Sequence, residues 1–354
     1  MSKASFKTEE IVEFFVSKDF EVLKSPERCR RLNKGGMRWY LKEVGDEIKH
    51  YLSLTTFTKL VMPDSHFLQS WKLDVAALKG VEGMNDYVQD TADFGTLLHI
   101  LIAESVKSGR YSYELLQKVI SEYGVKEEYM DMWERDLVRG ILSFNQWMID
   151  FNVDIKAIEY PISTERGIMT LIDLVAQLDV IEKGFYGEVY LSGAQKGMPK
   201  ETKKSRRVNA IIDIKSGMKG FYESHEMQLA LCYEMWNDKN RGIFEVEKIF
   251  NWSPNDWVSN PGYNFKDQTK NKYMGVCEEF GVRNTDVFFA IGRIQRIFDF
   301  KDSTMDLEKV EINIGEKSEL PFMSFKSKVF DKDVSVAVDD FDNDFNLDLD
   351  EEIK

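Results

Sequence analysis

The sequence predicts an α/β protein with a mixed central β-sheet flanked by helices. β-rich apolar runs cover residues 154–162, 168–180 and 208–215, and helical periodicity covers the segments before and after them. An order of helices, strands, a helix and a further strand is typical of one sheet covered by helices. With 354 residues, of which 43% are hydrophobic, the chain is long enough to bury a large core.

The remaining elements follow from local pattern. Gly45-Asp46 separates two β-rich runs, as a hairpin turn does. We predict helices at 9–18, 66–78, 96–106, 112–123, 126–151, 225–236 and 270–280, hairpin strands at 38–44 and 47–54, a strand at 242–251, and a loop at 255–268. Residues 287–300 fit a strand or a helix, and both remain open.

The most informative segment is the run I-I-D-I-K-S-G at residues 211–217. Alternate side chains of a strand share a face, so Asp213 and Lys215 point together while Ile212 and Ile214 pack. A charge pair at the end of a buried strand is costly, which favours a functional role. An ion pair on an edge strand would look the same.

Three other polar residues lie in apolar surroundings. Asp173 interrupts a β-rich run, and two carboxylates brought close together are stable mainly when a divalent cation neutralises them. His99 is expected on the first turn of a helix that starts near Gly95 and Thr96. Gln228 falls on an apolar helix, where a buried amide needs partners. The alternatives are a solvent-facing Asp173 and a His99 that serves only in packing.

In chain order these segments read G-T-L-L-H, G-x5-D, I-I-D-I-K-S-G and H-E-M-Q-L-A-L. Together they resemble the PD-(D/E)XK nucleases of the RecB-like group, over roughly residues 94–236. The resemblance implies a restriction-endonuclease-like core with an N-terminal region of hairpin and helices. It divides the chain into an N-terminal region (1–90), a nuclease core (91–325) and a tail (326–354).

The resemblance also implies a metal centre for phosphodiester hydrolysis. His99, Asp173, Asp213 and the backbone carbonyl of Ile214 would bind one or two Mg²⁺ or Mn²⁺ ions.

The same resemblance gives roles to two further side chains. Lys215 would orient or deprotonate the attacking water, or stabilise developing charge. Gln228 would hold Lys215 or the phosphate. The family often has a tyrosine four residues after this glutamine, but position 232 is a cysteine and Tyr233 belongs to an apolar stripe. Glu159 is a candidate for a further carboxylate near the site, but an ordinary acid on a strand face is the preferred interpretation.

A second segment, S-L-T at residues 53–55 followed by Met62-Pro63 and Trp71, is similar to single-strand exonucleases related to the mitochondrial genome maintenance exonuclease and its phage relatives. It implies that Ser53 and Thr55 hydrogen-bond a DNA phosphate and that Trp71 stacks on an unpaired base. A core position for Trp71 is the alternative.

The gap between Asp173 and Asp213 is long for neighbouring strands, so we predict an inserted hairpin or flap at 182–207. This insertion contains a concentration of basic residues. Because Lys and Arg bind DNA phosphates, the predicted DNA-binding residues are Lys203, Lys204, Arg206 and Arg207. A solvated loop is the alternative.

The formal net charge is -14, and residues 331–354 alone carry -8. This pattern predicts a disordered acidic tail that aids solubility, binds a basic partner such as a replication or recombination protein, or competes with DNA. Three distant cysteines predict neither a disulfide framework nor an iron–sulfur cluster. Since the sequence has no run of ~20 apolar residues and no signal-peptide core, we expect a cytoplasmic protein, in the host cytoplasm if viral, with no membrane partner.

The predicted function is a Mg²⁺- or Mn²⁺-dependent DNA exonuclease acting on single strands or ends in replication, recombination or repair. A structure-specific endonuclease on the same core is one alternative. A DNA-binding or replisome-assembly protein that keeps the fold is the other. No phosphate-cradling glycine loop or nucleophile elbow favours unrelated chemistry.

Overall fold

The described part of the chain is organised around one mixed sheet. In a computed structural model of the protein, this part comprises residues 13–15, 29–34, 37–44, 47–61, 66–165, 167–217, 221–257 and 260–274. Its strands are β1 (Glu13–Phe15), β2 (Cys29–Lys34), β3 (Met37–Val44), β4 (Glu47–Ser53), β5 (Arg110–Ser112), β6 (Asp154–Ser163), β7 (Ile168–Val189), β8 (Pro199–Ile214), β9 (Lys248–Asn255) and β10 (Gly262–Asp267). Eight of them form the sheet in the order β10-β9-β8-β7-β4-β3-β2, with β6 beside β7.

Parallel and antiparallel pairs occur together in this sheet. β4 runs parallel to β7 and β8 runs parallel to β9, whereas the other pairs are antiparallel. The predicted α/β class with a mixed central sheet is therefore confirmed. The predicted hairpin at 38–44 and 47–54 is confirmed as β3 and β4.

The helices lie on both sides of the sheet. They are α1 (Leu54–Val61), α2 (His66–Ser108), α3 (Tyr113–Tyr123), α4 (Met130–Asp150) and α5 (Glu223–Lys239). α2 is interrupted at Gly80, whose φ of 75° and ψ of 170° suit only glycine. The predicted boundary between the N-terminal region and the core, at residues 90 and 91, falls inside the second half of α2, residues 81–108.

The predicted start of a helix near Gly95 and Thr96 is wrong. Both residues lie inside the second half of α2, so His99 is in mid-helix rather than on a first turn. The helix continues through Gly95 because neighbouring apolar side chains, such as Phe94, Leu97 and Leu98, are buried. This tertiary packing overrides the low helix propensity of a single glycine.

Three further predictions need correction. Residues 13–15 of the predicted helix at 9–18 form β1, which pairs with β5. The predicted loop at 255–268 contains β10, because the edge of β9 supplies backbone partners that local sequence does not reveal. Residues 270–274 of the predicted helix at 270–280 form turns.

The core has two layers, one on each face of the sheet. Leu174 and Ile212 pack with α2, α3 and α4, whereas Val175 and Ile211 pack with α1 and α5. Burial on both faces explains why the parts of β7 and β8 that lie inside the sheet are continuous apolar runs in the sequence.

Several sequence predictions lie outside the described residues. They concern Met62-Pro63, the element at 287–300, Cys277 and the acidic tail at 326–354. In the part of the chain that is described, no helix combines the length and apolar character needed to cross a membrane.

Candidate metal centre

Three side chains from different elements meet in a cleft beside the sheet. His99 comes from α2, Glu159 from β6 and Asp173 from β7, and their ligand atoms all lie within 4.8 Å of one another. His99 Nδ1 lies 3.4 Å from Glu159 Oε1 and 3.9 Å from Asp173 Oδ1. Carboxylates suit Mg²⁺ and Mn²⁺, while an imidazole favours a first-row transition metal over Mg²⁺. This donor set is therefore compatible with a divalent cation such as Mn²⁺ or Mg²⁺.

Glu159 is held in this group by its strand register and an unusual backbone. In the antiparallel pairing of β6 with β7, Ile158 faces Leu174, which places Glu159 across from Asp173. Its φ of 47° lies in the left-handed region that residues other than glycine rarely adopt. Such strain costs about 1–3 kcal/mol and concentrates at functional sites. Glu159 therefore lies beside His99 and Asp173, which agrees with the less favoured of its two interpretations.

The ladder between β7 and β8 stops at the group. Leu174 with Ile212 is its last pair, and beyond it the Ile214 N–H donates to Asp173 Oδ2 at 2.8 Å. The carbonyl oxygen of Ile214 lies 3.1 Å from His99 Nε2. Because the strands separate here, the carbonyl predicted as a ligand lies at the edge of the group.

Charge interactions shift two pKa values within the group. Burial disfavours the charged imidazole, but the carboxylates of Asp173 and Glu159 outweigh it and raise the pKa of His99 to about 9. Burial also raises the pKa of Asp173, with the nearby Glu159 charge adding to it and His99 opposing it. In the absence of a cation, a proton on His99 therefore neutralises part of the carboxylate charge.

Lys215 lies at the end of β8 beside the group. It is only 6% exposed, and its Nζ lies 3.2 Å from Asp213 Oδ1 and 3.4 Å from Gln228 Oε1. Its backbone N–H donates to the carbonyl of Trp252 at 2.8 Å, which extends the pairing with β9 by one residue. The shared orientation of Asp213 and Lys215 and the contact with Gln228 are thus present, whereas the catalytic roles stay predictions.

Asp213 accepts a hydrogen bond from the first of two buried amide side chains that are themselves hydrogen-bonded. Asn251 Nδ2 donates to Asp213 Oδ2 at 2.7 Å, and Gln268 Nε2 donates to Asn251 Oδ1 at 2.9 Å. Asn251 is 0% and Gln268 is 3% exposed, so these hydrogen bonds satisfy amides that have little access to water. Both oxygens of Asp213 are engaged, and it lies outside the group of His99, Glu159 and Asp173. Its predicted role as a metal ligand stays a prediction.

The cleft around the group also contains cationic and hydroxyl side chains. It has a volume of about 130 Å³, and its lining includes Arg31, Arg38, Tyr40 and Thr55 as well as Lys215 and Gln228. The backbone N–H of Arg38 donates to Thr56 Oγ1 at 3.1 Å, which joins the β2–β3 hairpin to α1. Burial raises the pKa of Tyr40 to about 12, although Arg38 and Arg31 oppose this shift. At neutral pH Tyr40 is therefore a neutral phenol beside two guanidinium groups.

The three residues predicted to bind DNA near the N-terminus lie in different places. Thr55 lines the cleft. Ser53 Oγ accepts the N–H of Thr56 at 3.0 Å, so its hydroxyl caps α1. Trp71 packs against Tyr87 with ring centroids 5.8 Å apart and is not in the lining of this cleft. DNA binding by all three stays a prediction.

The arginines of the basic insertion are joined to acids. Arg206 pairs with Glu182 at 3.0 Å and also with Glu247, and Arg207 pairs with Asp179 at 3.2 Å. These ion pairs reduce the positive charge that the two arginines present to a phosphate. Their predicted contact with DNA stays untested.

The lysines of the insertion differ in orientation. Lys203 and Lys204 are both exposed, and they point to opposite faces because successive side chains of a strand alternate. Lys203 lies directly across from Lys183, whereas Lys204 lies across from Glu182.

Sequence reasoning missed four residues of this region and gave Glu159 second place. Asn251, like Glu159, carries the signal that identified Asp173, namely a polar side chain within an apolar strand. Gln268 follows a strand that was predicted as a loop. Arg31 and Arg38 lie in a hairpin with several charges, where nothing in the sequence separates a cleft residue from a surface residue.

Comparison of the chain with protein-family models and with curated proteins finds no match. The interpretation of the site therefore depends on its own geometry and on the resemblance of its motifs.

Proposed function

We propose that this protein is a metal-dependent deoxyribonuclease with a PD-(D/E)XK core, which hydrolyses phosphodiester bonds of single-stranded DNA or at DNA ends. The observation that carries the proposal is the composition of one cleft. It combines two carboxylates and an imidazole within 4.8 Å with the cations of Lys215, Arg31 and Arg38. Carboxylates attract a divalent cation, and arginines bind phosphate oxygens. Both kinds of group are needed around a phosphodiester.

In this proposal His99, Glu159, Asp173 and the carbonyl of Ile214 would hold the cation. A bound Mn²⁺ or Mg²⁺ would supply an activated water and stabilise negative charge on the phosphate. Lys215, held by Asp213 and Gln228, would use its ammonium to orient that water and to stabilise developing charge. Arg31 and Arg38 hold the phosphate and offset charge that develops during the reaction.

The fold supports the proposal at a coarser level. A mixed sheet with helices on both faces is compatible with a PD-(D/E)XK core, and Asp173 and Asp213 lie on adjacent strands, as the motif order implies. Removal from water makes each of these charges costly, so retaining them in one cleft favours a catalytic use. We place this activity in replication, recombination or repair.

The test is digestion of end-labelled linear single-stranded DNA, linear duplex and circular single-stranded DNA. Wild-type protein is expected to release nucleotides from the linear substrates with Mn²⁺ or Mg²⁺, and EDTA should stop the reaction. Asp173→Asn should be inactive, whereas Asp179→Asn, a change of the same charge on an exposed part of β7, should retain activity.

Cleavage of the circular strand would replace the exonuclease by an endonuclease on the same core. Absence of metal-dependent hydrolysis on every substrate, with DNA binding retained, would instead favour a DNA-binding or assembly role.

A further inference from the structure

The outer part of the β7–β8 hairpin, residues 181–205, extends beyond its neighbouring strands. β6 pairs with β7 only as far as Gln177, and β9 pairs with β8 from Ala210 onward. We call residues 181–205 the arm. All arm residues except 182, 184 and 202 are exposed, so it adds little to the core. Its side chains are available for another purpose.

Apolar side chains are concentrated on the arm. Among the described residues, sixteen large hydrophobic side chains are exposed, and seven of them fall between residues 181 and 198. Isolated exposed hydrophobic residues are normal on a protein surface, but a cluster of this density marks an interaction site.

One face of the arm interleaves apolar and basic side chains. Ile181, Lys183 and Phe185 alternate along β7 and share this face, where Lys203 of β8 lies directly across from Lys183. Ile181 is 61% and Phe185 is 70% exposed. Like charges directly opposite each other repel, and an anion between them relieves the repulsion. We call this the Phe185 face.

The opposite face of the arm is different. The ring of Tyr186 covers Gly184, because a Cβ built on that glycine would lie 3.4 Å from the ring. Lys204 lies across from Glu182, which in turn pairs with Arg206. Aromatic and charged groups on this face therefore already serve contacts within the protein.

We infer that the Phe185 face binds single-stranded DNA, with a base stacked on Phe185 and a phosphate between Lys183 and Lys203. Aromatic rings bind unpaired bases of any sequence, and lysines bind the backbone. Neighbouring positions on one strand face are about 6.8 Å apart, so one nucleotide can contact both kinds of group. A duplex offers the lysines a phosphate but offers Phe185 no free base face. The inference rests on the proposed function and adds to it the selection of an unpaired strand.

A protein partner fits this face less well. Burying the Lys183–Lys203 pair against an apolar surface would remove two like charges from water without neutralising them. Glu201, across from Phe185, leaves the face with a small net positive charge, which favours one or a few phosphates over an extended polyanion.

The experiment measures binding of the full chain to a labelled single-stranded oligonucleotide in EDTA by fluorescence anisotropy, with a duplex of equal length beside it. Phe185→Ala should weaken single-strand binding about tenfold, the scale of one lost base stack, and should leave duplex binding unchanged. Phe185→Trp should restore it. The double variant Lys183→Gln/Lys203→Gln should flatten the salt dependence by about 0.7 for one lost phosphate contact.

Lys200→Gln is the matched control, because it removes the same charge from a residue of the arm that already pairs with Glu188 at 3.5 Å. Equal losses with Lys203→Gln and Lys200→Gln would overturn the inference in favour of nonspecific charge. An unchanged single-strand affinity in Phe185→Ala would also overturn it. Loss of self-association in Phe185→Ala, with DNA affinity unchanged, would assign the face to a second copy of the chain.

The outcome is separable from that of the proposed function. Binding in EDTA requires no hydrolysis, so an arm that binds single strands in a protein without nuclease activity would refute only the proposed function. Nuclease activity in the wild type, together with a DNA affinity that Phe185→Ala does not change, would refute only the inference.

Discussion

At the scale of single residues, the site depends on charges that are held close together. Glu159 adopts a strained backbone so that its carboxylate faces Asp173, and His99 lies within 3.9 Å of both. Lys215 and Asp213 form a second buried pair next to the first group. Mutations in the two sets are expected to have different effects. The first set is proposed to hold a cation, whereas Asp213 of the second is proposed to position Lys215.

Glu159→Gln tests the first set. The amide keeps the size of the side chain but loses the charge that attracts a cation, so Mn²⁺ affinity should fall at least ~10-fold, the scale of a disturbed metal site. Isothermal titration calorimetry measures the affinity. Asp154→Asn, on the same strand and half-buried beside Lys156, should bind Mn²⁺ as wild type does. Wild-type affinity in Glu159→Gln would remove Glu159 from the metal centre.

Asp213→Asn tests the second set. Because both oxygens of Asp213 bond to Lys215 and Asn251, we expect single-turnover cleavage to slow by ~10²-fold, the scale for losing a charge-stabilising group, while Mn²⁺ affinity falls less than in Asp173→Asn. Lys215→Ala should give the same pattern. An affinity loss as large as that of Asp173→Asn would show instead that Asp213 is a metal ligand.

At the scale of elements, the separation of β7 from β8 beyond Leu174 opens space for the site, and α2 delivers His99 to it. α2 is interrupted at Gly80, before the half that carries His99. Gly140 allows α4 to approach α2 closely, since a Cβ there would lie 2.6 Å from Leu98 Cδ1. Gly140 therefore sets the spacing of the two helices at the residue before His99.

Gly80→Ala tests the interruption of α2. A Cβ is strained at φ 75° and ψ 170°, so the variant should lose about 1–3 kcal/mol of the free energy of unfolding. Chemical denaturation measures this loss. Leu78→Ala, an exposed change in the same half of α2, should stay within ~0.5 kcal/mol of wild type. A neutral Gly80→Ala would show that the two halves can join without this backbone conformation.

At the scale of the whole molecule, stability and the proposed metal binding are linked through protons. The pKa of His99 is raised from its ordinary value of 6.5 to about 9, so its charged form stabilises the metal-free fold. This contribution is fully present below pH 6.5 and is lost as pH rises through about 9. A cation binds the neutral imidazole and must displace the proton.

We therefore expect Mn²⁺ affinity to rise by up to ~10-fold per pH unit between pH 6.5 and 8.5. Over the same pH range the melting temperature in EDTA should fall. The increase in melting temperature that Mn²⁺ causes should become larger. Calorimetric titration and thermal melts in matched buffers measure these changes. His99→Asn should remove most of the pH dependence of Mn²⁺ binding. An affinity independent of pH in the wild type would mean that His99 is not a ligand.

The amino-acid sequence alone is enough to predict the α/β class, the β3–β4 hairpin and the elements that carry Asp173, Lys215 and Gln228. Each of these follows from local periodicity, because burial on one or both faces leaves a regular pattern of apolar residues. The contact between Lys215 and Gln228 was also predictable from the order of motifs, although their chemistry stays a prediction.

Which charged side chains meet depends on tertiary contacts. Glu159 joins Asp173 through strand register, Asn251 and Gln268 reach Asp213 through β9 and β10, and Lys203 is separated from Lys204 by the alternation of faces. These relations depend on which strands become neighbours. Backbone pairing sets that choice over long separations in the sequence, and the pairing leaves no local pattern of its own.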